Sequence, residues 1–194
     1  MATPLTRDFE KLNTNDILLL QQIAVDRNTT AMETLYNGYR GRLVPFLNRM
    51  TQDHALIEET YNDVMLIVWN KADQFKGNSK VSSWIFSIAY RACLALIKKQ
   101  KFRQTIINNF LFFKTEESSE SIEQGTSDKT DLLNKAIKQL PAKQQMMIEL
   151  SYFQEYSIQE IALIANCPVN TVKTRLHHAR QKIRAFMDSK NAEV

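Results

Sequence analysis

Between Val169 and Phe186 the side chains able to hydrogen-bond are spaced for a single surface. At about 100° per helical residue, Asn170, Thr174, His177 and Gln181 share one face, with Thr171, Lys173, His178 and Arg184 on its flanks. Amide, hydroxyl, imidazole and cationic groups in that mixture suit base edges and phosphates. Five Lys or Arg lie from Lys173 to Arg184, Arg175 among them, and no acid follows until Asp188. A second polar set is the stretch QFKGNSKVS, residues 74–82, which carries Lys76, Asn78, Ser79, Lys80 and Ser82. A basic loop with Asn and Ser, held between two rigid helices, can grip single-stranded bases. For both sets the plain alternative is a solvated charged surface.

Catalytic chemistry finds no comparable support. There is no nucleophile–base constellation, no glycine-rich phosphate cradle and no carboxylate pair in a special setting. Glu58-Glu59 and Glu116-Glu117 are adjacent acids of the solvated kind. Two isolated cysteines, Cys93 and Cys167, point to reduced thiols, and three scattered histidines have no metal-ligand spacing. The expectation is a chain that is not an enzyme and needs no metal or cofactor. No run of eighteen apolar residues occurs, and no basic-then-apolar leader opens the chain, so neither membrane insertion nor export is expected.

The net charge of +4 is unevenly spread: +5 over residues 1–114, −5 over 115–131 and +4 over 132–194. Two basic domains joined by an acidic strap suit a partner that is a polyanion. With 44% hydrophobic residues and only four Gly and four Pro, the composition favours an all-α chain.

The elements that must position the two polar sets follow from apolar periodicity. Thr14-Asn15-Asp16 offers caps for a helix through Ile17, Leu20 and Ala24 that ends near Asn28. A second runs from about Thr30 to Met50, with a kink or break expected at Pro45. Asp53 to about Ala72 is apolar nearly all round, as for a central helix or one with a face reserved for a protein partner. Ser83 to about Lys99 forms the next, closed by the basic run Lys98 to Arg103. Residues 115–130 are acidic, Ser-rich and aperiodic, and read as a disordered linker. Order returns with a helix near Asp131, then another with Pro141 at its first turn. Ser157 and Glu160 form a capping box for a helix through Ile161 and Ala165, Asn166-Cys167-Pro168 interrupts it, and Val169, Val172, Leu176, Ala179 and Ile183 form the apolar stripe of the last helix. Such a helix-turn-helix would seat its second helix in the major groove.

The segment LPAKQQMMIELSYFQEYSIQEIALIANCPVNTVKTRLHHARQKIR resembles the promoter-binding fourth region of bacterial RNA polymerase sigma factors of the extracytoplasmic-function (ECF) group, in the sigma-70 family. The segment DHALIEETYNDVMLIVWNKADQFKGNSKVSSWIFSIAYRACLALIKK resembles their second region, in the right order and at the right separation. The resemblance implies an N-terminal helical bundle over residues 14–103, a flexible acidic linker over 104–130, and a helix-turn-helix four-helix domain over 131–189. It further implies that Glu59, Asn62, Asp63, Leu66, Trp69 and Asn70 dock on the clamp helices of the polymerase's largest subunit. Lys76, Asn78, Ser79, Lys80, Ser82, Trp84 and Arg91 would hold an unstacked base of the minus-ten element. Asn170, Thr171, Lys173, Thr174, Arg175, His177, His178 and Gln181 would read the minus-thirty-five element in duplex form.

Further partners implied are the flap of the second-largest subunit and an anti-sigma factor, which could hold this otherwise cytoplasmic protein at the membrane. The family commonly has Gly at the position of Asn170, Arg at that of His178 and Asn at that of Arg91, so both preferred DNA sequences are this chain's own. Two competing readings stand beside this one: a dimeric helix-turn-helix regulator that binds a duplex palindrome without polymerase, and an adaptor whose basic faces are only solvated.

Overall fold

The structure is a computed structural model that describes residues 4–51, 53–110 and 128–191. Helices account for nearly all of them: α1 (Pro4–Asp26), α2 (Thr29–Met50), α3 (His54–Lys71), α4 (Val81–Phe110), α5 (Asp128–Lys138), α6 (Ala142–Ile148), α7 (Ile158–Ile164) and α8 (Val169–Asn191). A 3-10 turn (Ala72–Gln74) follows α3, and a π-helical turn (Glu149–Phe153) extends α6. The first four helices form one bundle and the last four another, as an all-α, two-domain reading expects.

Three boundaries differ from those that periodicity suggests. Helix α1 begins at Pro4, ten residues before the expected caps, since Pro with its fixed φ is well suited to a first helical turn. The polar residues near the expected start serve tertiary bonds instead. Asn13 accepts from the Val81 amide at 3.1 Å, capping α4, and the Asp16 carboxylate accepts from the Tyr39 hydroxyl of α2. Burial raises the Asp16 carboxyl above its ordinary range.

Pro45 does not break α2. Its ring removes one bond to the Gly41 carbonyl, and both residues are exposed, so water can take that bond. Helix α4 starts two residues before the expected Ser83 and runs on through Lys98–Arg103 to Phe110. The basic run therefore lies within a helix, and the stretch read as a linker, 104–130, is helical at both edges. Its remainder, 111–127, lies outside the described residues.

Local signals hold elsewhere. Arg27 takes φ 49°, turning the chain between α1 and α2, and Asn28 caps α2 through the Ala31 amide at 3.0 Å. Asp53 caps α3 by accepting from the Ala55 and Leu56 amides. The N-terminal core gathers Leu20, Ile23, Leu35, Leu43, Phe46, Ile57, Tyr61, Val64, Met65, Val68, Ile85 and Phe86, and the C-terminal core Leu140, Met146, Met147, Leu150, Ile161, Ile164, Val172, Leu176 and Ala179. Burial pushes the Cys93 thiol up to about 12, so it behaves as a small apolar core residue. The stretch Val81–Gln100 has the length and apolar character of a membrane span, but half of it is buried in the protein.

The two bundles are in contact, and their buried residues form one continuous cluster. Arg49 of α2 meets Glu149 at 3.0 Å, its guanidinium lies 3.5 Å from the Phe153 ring centroid, and its carbonyl accepts from Gln145 at 2.7 Å. Glu149 is only 2% exposed. Burial raises its carboxyl to about 7, with Arg49 and Gln154 offsetting only part of that cost.

An acid whose folded-state pKa is raised keeps a proton that the unfolded chain releases. Its contribution is fully present below about pH 4.5 and is lost as pH climbs to about 7, at a slope of at most about 1.4 kcal/mol per pH unit. Glu149→Gln removes that slope. Its melting temperature should exceed the parent's by a few degrees at pH 8 and converge with it near pH 4.5, as read by calorimetry across the range.

Candidate nucleic-acid interface

The helix-turn-helix is built from short-range bonds that its own residues dictate. The Ser157 amide donates to Glu160 Oε2 at 2.9 Å while the Glu160 amide donates to Ser157 Oγ at 3.3 Å, closing the capping box of α7. At the other end Asn166 adopts φ 46°, a left-handed conformation that Asn tolerates better than most residues. This lets the Cys167 amide reach the Ala162 carbonyl at 3.0 Å and the Asn166 amide reach that of Leu163 at 3.3 Å. The paired bonds are a Schellman ending, and they set the angle at which α8 departs. Val172, Leu176 and Ala179 are buried against the rest of the domain, which turns the opposite side outward.

That outward side carries Asn170, Lys173, Thr174, His177, His178 and Gln181, all exposed, with Thr171 half-buried. The Thr174 hydroxyl donates to the Asn170 carbonyl at 2.9 Å, and the His177 and His178 rings stand 5.9 Å apart. Arg175 departs from the set. It is half-buried and points Nη1 at Cys167 Sγ, 3.7 Å away, so it buttresses the turn. Among the described residues no cluster of three metal-ligating side chains occurs.

The second polar set surrounds the start of α4. Gly77 adopts φ 72°, where a side chain would be strained, and turns the loop over. Lys76 and Asn78 are exposed and Ser79 half-exposed. Trp84 packs on Phe75 at 5.6 Å between ring centroids. Ser87 donates to the Trp84 carbonyl at 2.7 Å and stands 3.5 Å from an Arg91 nitrogen, so Trp84 and Arg91 lie along one face of α4. A groove of about 290 Å³ opens between α1 and the loop, lined by apolar Ile17, Leu20, Ala24, Ala72 and Phe75 and by polar Gln21, Asp73 and Lys76.

Lys80 and Ser82 sit differently from the other loop residues. Lys80 Nζ is 2.9 Å from Glu160 Oε1, and Ser82 bonds the Tyr156 side chain. Both partners belong to the C-terminal domain. Burial pushes the Glu160 carboxyl up, but the hydrogen bonds from Lys80 and Ser157 more than reverse it, leaving the group below its ordinary value. The sequence carries no signal for these pairings, because residues so far apart in the chain share no local period.

A third surface runs along α3. Glu59, Asn62, Asp63, Leu66 and Asn70 are exposed at three- and four-residue spacing, Leu66 at 57%, and Trp69 is half-buried. Tyr36 donates to Asn62 at 2.8 Å, and Arg27 donates to the Trp69 carbonyl at 2.6 Å with its guanidinium 5.8 Å from the ring. The apolar excess of this helix thus resolves into a buried stripe that includes Met65 and an outward Leu66.

Two family models match the chain: Sigma-70 region 2 over residues 35–103, and Sigma-70, region 4 over residues 130–183. The ECF RNA polymerase sigma factor RpoE of Cereibacter sphaeroides is 26% identical over 175 residues, covering 90% of this chain and 96% of that protein. Among solved structures, CnrH in complex with the cytosolic domain of CnrY matches with a TM-score of 0.66 at 18% identity, over 90% of this chain and 98% of that one. The sigma factor RpoE from Bartonella quintana, in complex with the anti-sigma factor NepR, gives 0.61 at 21% identity, over 80% and 96%. These two likenesses bear on the fold.

The capping box supplies a direct check on how the helix-turn-helix is held. Ser157→Ala removes the cap of α7 and should cost about 1 kcal/mol of stability, measured by urea denaturation. Ser157→Asp, which keeps an acceptor at the cap, should recover most of it.

Proposed function

The chain belongs to the ECF group of the sigma-70 family of RNA polymerase sigma factors, and from that premise we propose how its three outward surfaces divide the work of starting transcription. A sigma factor has no catalytic step of its own. It binds core RNA polymerase, brings it to a promoter and promotes melting of the DNA, and the chemistry belongs to the polymerase.

The observation that carries the proposal is that one helix presents Asn170, Lys173, Thr174, His177 and Gln181 outward together while its apolar side is buried. This face reads the minus-thirty-five element as duplex, with Lys173 on phosphate and the amide, hydroxyl and imidazole groups on base edges. Thr171 and His178 flank it, and Arg175 supports the turn. Asn170 and His178, where relatives commonly have Gly and Arg, give it a sequence preference of its own.

Lys76, Asn78, Ser79, Lys80, Ser82, Trp84 and Arg91 hold the melted minus-ten strand. Lys76 also lines the groove beside the loop, whose apolar walls could take the face of an unstacked base. Capturing such a base costs a few kcal/mol of unstacking, which favours a strand already frayed.

Glu59, Asn62, Asp63, Leu66, Trp69 and Asn70 dock on the clamp helices of the polymerase's largest subunit. An exposed Leu66 ringed by amides and acids has the anatomy of a small protein interface. The C-terminal domain meets the flap of the second-largest subunit. The protein acts in the cytoplasm and is held in check by an anti-sigma factor, as the Bartonella RpoE complex with NepR illustrates for its own chain.

Replacing Lys173, Thr174 and His177 together with alanine should abolish run-off transcription from a promoter the protein directs while leaving its binding to core polymerase intact. Lys173→Ala alone should lower the slope of log affinity against log salt by about 0.9. Leu66→Asp should do the reverse of the triple variant, losing core binding by more than about tenfold and sparing the duplex-reading face. A triple variant that transcribes normally would support the adaptor reading instead.

A further inference from the structure

Arg27 and Asn28 make the turn between α1 and α2. Asn28 caps α2, while Arg27 takes φ 49°, a left-handed conformation in which a Cβ crowds the following carbonyl oxygen, so that Gly or Asn meets it at lower cost. The reason for an arginine lies in its side chain. Nη1 donates to the Trp69 carbonyl at 2.6 Å, and the guanidinium carbon lies 5.8 Å from the centre of the Trp69 ring. Trp69 stands in the last turn of α3, which ends at Lys71, where carbonyls run out of intrahelical donors and the helix dipole presents its negative end. A planar cation that bonds the carbonyl and faces the indole of the same residue fixes both its backbone and its ring. Further along the same surface Asn62 is held in a similar way, by the Tyr36 hydroxyl of α2 at 2.8 Å, and Tyr61 of α3 donates in turn to the Tyr36 carbonyl.

We propose that Arg27 is a positioning residue for the docking of core polymerase, holding the Trp69 indole and the end of α3 in the arrangement that the clamp helices meet. The proposal rests on the assignment of Trp69 to the polymerase-docking surface. Asn62, Leu66 and Trp69 follow one another at four- and three-residue spacing, with Leu66 exposed and Trp69 half-buried, so they serve as one surface only while the last turn of α3 keeps its helical geometry. Arg27 ties that turn to the end of α1. An indole fixed before docking has less freedom to lose when polymerase covers it, and preorganisation of this kind raises affinity without a new contact. The unfavourable backbone at position 27 is thereby kept for the sake of its side chain, which acts on the partner through Trp69.

Arg27→Gly in the full chain separates the side chain from the turn, because it eases the backbone while deleting the guanidinium. The melting temperature should stay unchanged or rise, and binding to core polymerase, read by biolayer interferometry, should weaken about fivefold, the loss expected for one exposed cation–π contact. Arg27→Lys keeps the charge without the planar fork and should fall between the parent and Arg27→Gly. In a Trp84→Phe chain Trp69 is the only tryptophan left, and there Arg27→Gly should red-shift the emission and raise the acrylamide quenching constant.

Full polymerase affinity in Arg27→Gly, or an emission that does not respond to it, overturns the proposal. A double-mutant cycle then decides how Arg27 acts. Trp69→Ala should weaken core binding by itself, and adding Arg27→Gly to it should cost less than about twofold more. An equal loss in both backgrounds means that Arg27 touches polymerase directly or serves only the fold, and overturns the positioning role. If Trp69→Ala binds core polymerase as the parent does, it is the assignment of Trp69 to docking that fails. Should Arg27→Gly fail to fold, Arg27→Asn suits the same left-handed turn and is held to the same readouts.

Discussion

Phe86 is the residue on which both domains depend. Fully buried on α4, it meets Phe46 of α2 edge-on at 5.5 Å and Tyr156 of the C-terminal domain edge-on at 5.2 Å. The Arg42 guanidinium lies over both rings, 5.0 Å from Phe86 and 5.4 Å from Tyr156. Burying an aromatic side chain of this size contributes about 3 kcal/mol, and edge-on ring contacts and the overlying cation each add about 1 kcal/mol. Helix α4 can serve as a spine because its buried side is apolar along several turns, from Val81 through Ile85, Phe86 and Ala89 to Cys93.

This arrangement decides which surfaces face outward. With α4 filled on one side by α2 and α3, and on the other by α6 and α7, its first turn and the loop before it lie at the seam. Helices α3 and α8 each bury one apolar side against the other helices of their bundle and turn one polar side to solvent. The faces proposed to dock protein and to read duplex DNA are thereby kept apart, and the loop between them is the element whose surroundings depend on how the domains meet.

Much of this was legible in the sequence where the cause is local. The capping box at Ser157, the turn at Asn166 and the apolar stripe of α8 are written in residues three and four apart, and the outward face of α8 follows from them by geometry. The N-terminal end of α1 and the C-terminal end of α4 were not legible. Thr14 to Asp16 has the composition of a cap, yet Asp16 is used by Tyr39, a choice made by a residue in another helix.

The same holds more strongly for the seam. Arg42 and Arg49 look like ordinary solvated charges on a polar helix side, and Glu149 looks like one more surface acid. Only the fold shows that Glu149 is buried against Arg49 and that Lys80 answers to Glu160. Arg175 is the converse case: the family resemblance puts it in the reading set, whereas at about 100° per residue it lies nearer the apolar stripe of α8, and its guanidinium points at Cys167 in the turn. The most direct test of the central claim is run-off transcription from a genomic fragment library with core polymerase, with and without this protein. Discrete new transcripts that need both components are the predicted result. Transcripts unchanged by the protein, alongside a tight footprint of the protein alone on a duplex palindrome, would contradict it.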